Sequence, residues 1–225
     1  MIGAAVILAG GRGSRLAPWD APKCLMPVGG VTLIDRIIDH ISPHVHRAVI
    51  CTGYRADDVA ASVQRGMKRW QPATDYIHVP RVVFSNAGED TPMGERLLRA
   101  RSEYKLESDR LLVLYGDEMA DVDIRALEKW HEAKEMRITF TAYRQKLPFG
   151  VVLEDDRISE EETALVNIGF VLTESSAWAH LRPEDGVSDW INRVPKGSVA
   201  LYLHEGRRAT VNSIADLRAA EEVWK

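Results

Sequence analysis

Cysteine is scarce in this chain: Cys24 and Cys51 are the two in 225 residues, and they show no metal-ligand spacing. Two isolated thiols predict a reduced, cytoplasmic protein, not a disulfide-stapled one. Long apolar runs are also missing. No stretch approaches the roughly 18 consecutive apolar residues that a membrane-crossing helix needs. The segment Ile2 to Leu8 is too short for a signal-peptide core and has no basic segment before it. Positive charge is not in excess either. A formal net charge of −4 argues against a general binder of nucleic acid or of an anionic membrane. Repeats, low-complexity tracts and long linkers are lacking, and no Ser-His-Asp or Cys-His set stands in a supporting context. His44-x-His46 beside Pro43 reads as a solvated loop, and the scattered tryptophans read as packing residues. What remains is an ordinary globular composition, 45% apolar and 28% charged, on a chain long enough to bury a substantial core.

Two common phosphate-binding motifs are absent as well. The chain opens with Ile7-Leu8-Ala9-Gly10-Gly11-Arg12-Gly13-Ser14-Arg15-Leu16, followed by Pro22-Lys23-Cys24-Leu25. A P-loop needs Lys-Ser/Thr directly after its last glycine, which this segment lacks. A dinucleotide fingerprint needs a third small residue where Leu16 stands. The segment nevertheless carries anion-binding chemistry. Glycines let backbone N–H groups approach phosphate closely, and Arg12, Arg15 and Lys23 supply opposite charge. The local cluster in an acidic chain therefore reads as a site.

Strand and helix patterns alternate over the first two-thirds. Ala4 to Leu8 is a continuous apolar run, expected for a parallel strand buried on both faces. Leu33, Ile34, Ile37, Ile38 and Ile41 recur at helical spacing, with Thr32 as cap and Pro43 just past the end. Strands are expected at 47–52, 82–84, 111–115 and 137–143, and helices at 57–70, 95–104 and 123–133. This alternation predicts an α/β doubly wound, mostly parallel sheet. Beyond it, strands at 149–153, 165–172 and 198–204 and helices at 174–181, 188–194 and 214–224 predict a mixed continuation. A single domain over 1–225 follows, with an N-terminal half over 1–145 and a lobe over 146–225.

A carboxylate at the carboxyl end of a buried strand stands where open α/β sheets bind ligands, so Asp117 in Tyr115-Gly116-Asp117 is a candidate ligand for Mg²⁺ bridging phosphates. Asp121 and Asp123 fit better as helix-capping residues than as a metal cluster. The pattern alone does not decide whether Glu118 faces the site or solvent.

The pattern G-G-x-G-[ST]-R-L followed by P-K-x-L resembles the sugar-1-phosphate nucleotidyltransferases. The run from Arg96 to Thr141 looks most like the glucose-1-phosphate cytidylyltransferases, through Arg96-Leu97, Tyr115-Gly116-Asp117, Ala120-Asp121-Val122-Asp123-Ile124 and Trp130-His131. The resemblance implies a Rossmann-like, GT-A-like nucleotidyltransferase fold whose N-terminal half binds nucleotide and whose lobe 146–225 binds sugar phosphate. It implies transfer from a nucleoside triphosphate, CTP favoured, to a sugar 1-phosphate. Leu8, Ala9, Gly10, Gly11, Arg12, Gly13 and Ser14 would wrap the phosphates, Arg15 would hold the leaving pyrophosphate, and Lys23 would sit at the α-phosphate. Arg15, Lys23 and Asp117 are the implied catalytic residues, with Gly116 beside them. Met93, Gly94 and Arg96 would serve the base. Asn212, where many relatives carry aspartate, would join Asp117 on Mg²⁺, with helix capping as its other reading. Gly150, Asn167 and Gly169 would hold the sugar. The family's E-K-P triplet is missing from Glu160-Glu161-Glu162-Thr163, so the sugar phosphate would be met by Arg144, Lys146 or Arg193. Guanylyl, uridylyl or thymidylyl transfer, transfer to a non-sugar phosphate such as phosphocholine, and a nucleotide-sugar sensor are the alternatives. No nucleic-acid or membrane partner is implied, and a monomer or homodimer is expected.

Overall fold

The computed structural model describes residues 2–12, 19–67, 80–107, 110–147, 151–152, 158–159 and 163–224. Its strands are β1 (Ile2–Leu8), β2 (Pro27–Val28), β3 (Val31–Thr32), β4 (Val45–Thr52), β5 (Arg81–Asn86), β6 (Leu111–Tyr115) and β7 (Glu118–Ala120), then β8 (Ile138–Lys146), β9 (Val151–Val152), β10 (Ile158–Ser159), β11 (Thr163–Thr173), β12 (Val199–His204) and β13 (Arg208–Thr210). The α-helices are α1 (Leu33–Ile41), α2 (Ala56–Met67), α3 (Met93–Glu103), α4 (Ile124–Lys134), α5 (Val187–Arg193) and α6 (Ile214–Val223).

Seven strands form one sheet in the order β12-β8-β11-β6-β1-β4-β5. β1 pairs in parallel with both β4 and β6, β4 with β5, and β12 with β8. Only β11 runs antiparallel to its neighbours β6 and β8. The expected doubly wound, mostly parallel sheet is therefore present, and strands from both halves of the chain share it. From β1 the chain winds outward to β4 and β5, then returns to the other side of β1 as β6. That reversal is a topological switch point, and it opens a crevice at the carboxyl ends of β1 and β6.

Period-two alternation buries the sheet on both faces. Ala5 and Ile7 of β1, Leu112 and Leu114 of β6 and Phe170 of β11 pack on one side with α1, α2 and α4. Val6, Val113 and Val171 point to the other side, with Leu97 of α3 and Trp190 of α5. α1 starts as expected: the Thr32 Oγ1 accepts the Asp35 N–H at 3.2 Å. Asp123 caps α4 through the Ala126 N–H at 2.9 Å. The helix expected at 174–181 is a 3₁₀ turn over Ser175–His180. It places Trp178 against Trp190, ring centroids 5.1 Å apart.

Three short pairings went unread in the sequence, and one of them joins β9 to β10 with Val152 opposite Ile158. β2 and β3 form a tight hairpin through Gly29 and Gly30, both at positive φ, as a two-residue primed turn requires. β7 and β13 form an antiparallel ribbon that pairs Glu118 with Thr210 and Ala120 with Arg208. Met26, Val28, Leu33, Met119, Val211 and Ala220 make a third apolar cluster that ties hairpin, ribbon and α6 together.

Trp190 is fully buried and donates its indole N–H to the Ala177 carbonyl at 3.0 Å. Trp190→Ala is expected to cost about 3–5 kcal/mol in urea unfolding, the usual range for a large aromatic removed from a core.

Candidate active site

The crevice at the switch point is floored by backbone. The Ala9 N–H donates to the Cys51 carbonyl and the Gly116 N–H to the Leu8 carbonyl, both at 2.9 Å. A Cβ on Gly116 would lie 2.7 Å from that same carbonyl, so only glycine lets the end of β6 pass so close to β1. A small cavity of about 110 Å³ opens here, lined by Leu8, Ala9, Gly11, Lys23, Cys24, Gly116 and Asp117.

Lys23 begins a 3₁₀ turn, Lys23–Leu25, just ahead of the β2–β3 hairpin. Its ammonium lies 2.5 Å from Asp117 Oδ2 and 2.5 Å from Asn212 Oδ1. The structure thus brings three sequence-picked residues to one point. The ribbon sets the spacing of the two oxygens, since the Val211 N–H donates to the Asp117 carbonyl at 3.2 Å. Asn212 does not cap α6. Ser213 does, its Oγ accepting the Asp216 N–H at 3.2 Å, while Asp216 Oδ2 accepts the Asn212 N–H at 2.9 Å. That arrangement leaves the Asn212 side-chain amide oxygen to the cation.

Arg96 has a different place from the one read for it. Its guanidinium is buried and donates to the carbonyls of Thr91, Thr52 and Glu89 at 2.8–2.9 Å. It fills the space where a Cβ on Gly10 would stand, which is why Gly10 can lie directly over it. Burial lowers its pKa. Gly94 also faces protein: its N–H donates to the Asp185 carbonyl at 2.9 Å, and the Glu95 N–H donates to the Pro183 carbonyl at 2.8 Å. The N-terminus of α3 is thereby closed by the 183–185 segment, and Met93 packs into the core beneath it. Arg12 pairs with Glu89 and lies over the Tyr54 ring, 5.3 Å from its centroid. Gly13, Ser14, Arg15 and Gly150 fall outside the described residues.

On the other side, Asn167 donates from Nδ2 to the Tyr115 hydroxyl at 3.3 Å and accepts the Gly169 N–H at 2.9 Å. Gly169 sits at φ +72° where the β11 register shifts, and a Cβ there would strike the Tyr115 ring. Asn167 and Gly169 thus fit against the residue that leads into Gly116-Asp117. Burial pushes the Tyr115 phenol up to about 12.

Next to this group lies the larger cavity, about 700 Å³, whose walls include Glu118, Tyr143, Arg144, Lys146, Arg208 and Asn212. Arg144 and Lys146 border it as read. Arg193 is committed to Asp185, with Nη2 2.6 Å from its Oδ1. Sequence reading missed Arg208 and left Glu118 undecided. The alternation Arg208-Ala209-Thr210-Val211 ahead of Asn212 is the signal that could have exposed a strand here. Arg208 forks onto Glu118 at 2.9 and 3.2 Å. Burial raises the Glu118 pKa, and the Arg208 and Thr210 hydrogen bonds oppose that shift.

The chain matches the family described as the MobA-like NTP transferase domain over residues 5–165. It is 24% identical over 250 residues to a probable glucose-1-phosphate cytidylyltransferase of Bacillus subtilis, covering 98% of this chain and 95% of that one. It is 30% identical over 174 residues to a putative mannose-1-phosphate guanyltransferase of Sulfolobus acidocaldarius, covering 73% of this chain and 45% of that one. Among solved structures, a putative glucose-1-phosphate thymidylyltransferase from Bacillus anthracis in complex with a sucrose superposes with a TM-score of 0.77. The identity there is 20%, over 97% of this chain and 94% of that one.

Arg96→Lys is expected to lower stability by about 2–4 kcal/mol in urea unfolding, because one ammonium cannot serve carbonyls that a guanidinium fork satisfies. Cys24 and Cys51 are buried, and burial pushes both thiols up to about 12. Both are expected to resist a thiol-reactive dye at pH 8 in the native protein and to react fully in denaturant, since the thiolate is the reactive form.

Proposed function

Because the chain belongs to the MobA-like NTP transferase family and is a nucleotidyltransferase, we propose that it joins a nucleoside triphosphate, CTP favoured, to a sugar 1-phosphate, releasing pyrophosphate. The observation that carries this reading is the meeting of Lys23 with Asp117 and Asn212 at the β1–β6 switch point, between the small cavity and the large one. The small cavity, lined by Gly11 of the glycine segment, is the triphosphate side. The large cavity is the acceptor side.

Asp117 Oδ2 and Asn212 Oδ1 both lie 2.5 Å from a single nitrogen cation, so the two oxygens already converge on one positive centre. A carboxylate and an amide oxygen form a hard donor set that suits Mg²⁺, which keeps its other positions for water and phosphate oxygens. When bound, such an ion neutralises charge on the phosphates.

The attacking oxygen of a sugar 1-phosphate is already anionic, so no general base is required. The barrier is the approach of two anions and the build-up of charge on the leaving pyrophosphate. Positioning and preorganised positive charge must supply the catalysis. Lys23, anchored on a short turn packed against α1 and α2, meets the α-phosphate and the incoming phosphate. Arg15 holds the pyrophosphate. Asn167 and Gly169, braced on Tyr115, flank the sugar. CTP is favoured by the similarity to cytidylyltransferases, and guanylyl, uridylyl and thymidylyl transfer are the alternatives. A phosphocholine acceptor is disfavoured because Tyr143, the one aromatic ring in the large cavity's described wall, has the Arg208 guanidinium 5.7 Å from its centroid.

Pyrophosphate release will be measured with CTP, GTP, UTP and dTTP against hexose 1-phosphates in Mg²⁺. It should depend on acceptor and run fastest with CTP. Lys23→Ala and Asp117→Ala should each lower turnover on the order of 100-fold or more while circular dichroism stays native. Near-normal turnover in either variant would refute the assigned roles, and release that does not rise with acceptor would indicate a sensor.

A further inference from the structure

The wall of the large cavity contains a buried ion pair. Glu118 is 6% exposed, and Arg208 grips it with Nη2 at 2.9 Å and Nε at 3.2 Å. Thr210 donates to Glu118 Oε1 at 2.5 Å, and Arg208 Nη1 donates to Gln145 Oε1 at 2.5 Å. Taking both charges out of water is costly, and packed apolar residues in place of such a pair are often equally stable or better. The ribbon has apolar packing of its own through Met119 and Val211, so its stability does not account for the pair.

Its location does account for it. Glu118 follows Asp117 directly, and Thr210 stands two residues before Asn212. One ribbon thus holds the two cation-binding oxygens at one end and this polar cluster along the cavity. Carboxylate and amide oxygens alternate there with guanidinium and hydroxyl donors. A sugar hydroxyl both donates and accepts, so adjacent ring hydroxyls match such a wall. Arg144 and Lys146 on the same wall supply positive charge for the acceptor's phosphate.

On the transferase reading above, we propose that the ring hydroxyls of the sugar 1-phosphate acceptor are read by the Glu118–Arg208 pair with Thr210 and Gln145, making these side chains the acceptor-specificity determinants.

The test compares kcat/KM for hexose 1-phosphates and their monodeoxy counterparts, with phosphocholine alongside. At one or more ring positions the wild type should favour the hydroxylated acceptor on the order of 100-fold, because a site built to bond a hydroxyl strands its own polar groups when that hydroxyl is missing. Glu118→Gln and Arg208→Lys should shrink that ratio to about tenfold or less, with the nucleotide KM little changed. Equal loss for every acceptor, with the ratio intact, would assign the pair a purely structural role and overturn the proposal. So would a wild type that ignores the deoxy change or prefers phosphocholine. With the ratio intact or the deoxy change ignored, release that depends on the sugar phosphate persists and the transferase reading stands; a preference for phosphocholine, or no release with any sugar phosphate, overturns both.

Discussion

One ammonium group lies between two oxygens that the chain supplies from 94 and 189 residues away. Holding Lys23, Asp117 and Asn212 within 2.5 Å contacts requires three separate pieces of backbone to be placed independently and then locked. β6 delivers Asp117 by ending beside β1, with Gly116 bonded to Leu8. The turn after the glycine segment delivers Lys23, held down by Cys24 buried in the core beside α1 and α2. The ribbon delivers Asn212, and Ser213 frees it by taking over the capping of α6. Charge attraction rewards this convergence, but the apolar clusters around it bear the cost of ordering the chain.

Cations in this protein divide by what surrounds them. Arg96 is spent on three carbonyls and acts as a tie beneath Gly10. Arg110 joins Glu132 to Glu174, and Arg193 holds Asp185. Lys23 differs from these in that its partners are themselves suited to a metal ion. Arg208 stands between the two classes, bound to Glu118 and Gln145 yet on the wall of the large cavity. Arginine suits the bracing roles because its planar fork serves several acceptors at once, whereas lysine presents a compact charge that can change partners.

The fold was largely legible because its signals are local. Continuous apolar strands, a helix with five buried apolar residues at helical spacing and the Thr32 and Asp123 caps all appear in the structure. What escaped reading were elements two or three residues long. The alternation at β13 is too short to settle a strand by itself, and β7 and β13 are strands because they pair with each other across the fold. The same limit applied to the site. Arg96 looked like a residue poised for a ligand because a sequence pattern carries no information on which carbonyls a guanidinium will meet.

The sequence by itself determined the kinds of group available: a glycine segment followed by a lysine, a carboxylate at a strand end, an asparagine ahead of the last helix. Those types follow from composition and spacing, which set local conformation and charge. Only the tertiary structure decided which of them meet, that Arg96 turns inward, and that Glu118 and Arg208 face one another across a ribbon. Contacts between residues so distant in the chain depend on strand order and register, and these emerge only when the whole sheet buries both of its faces.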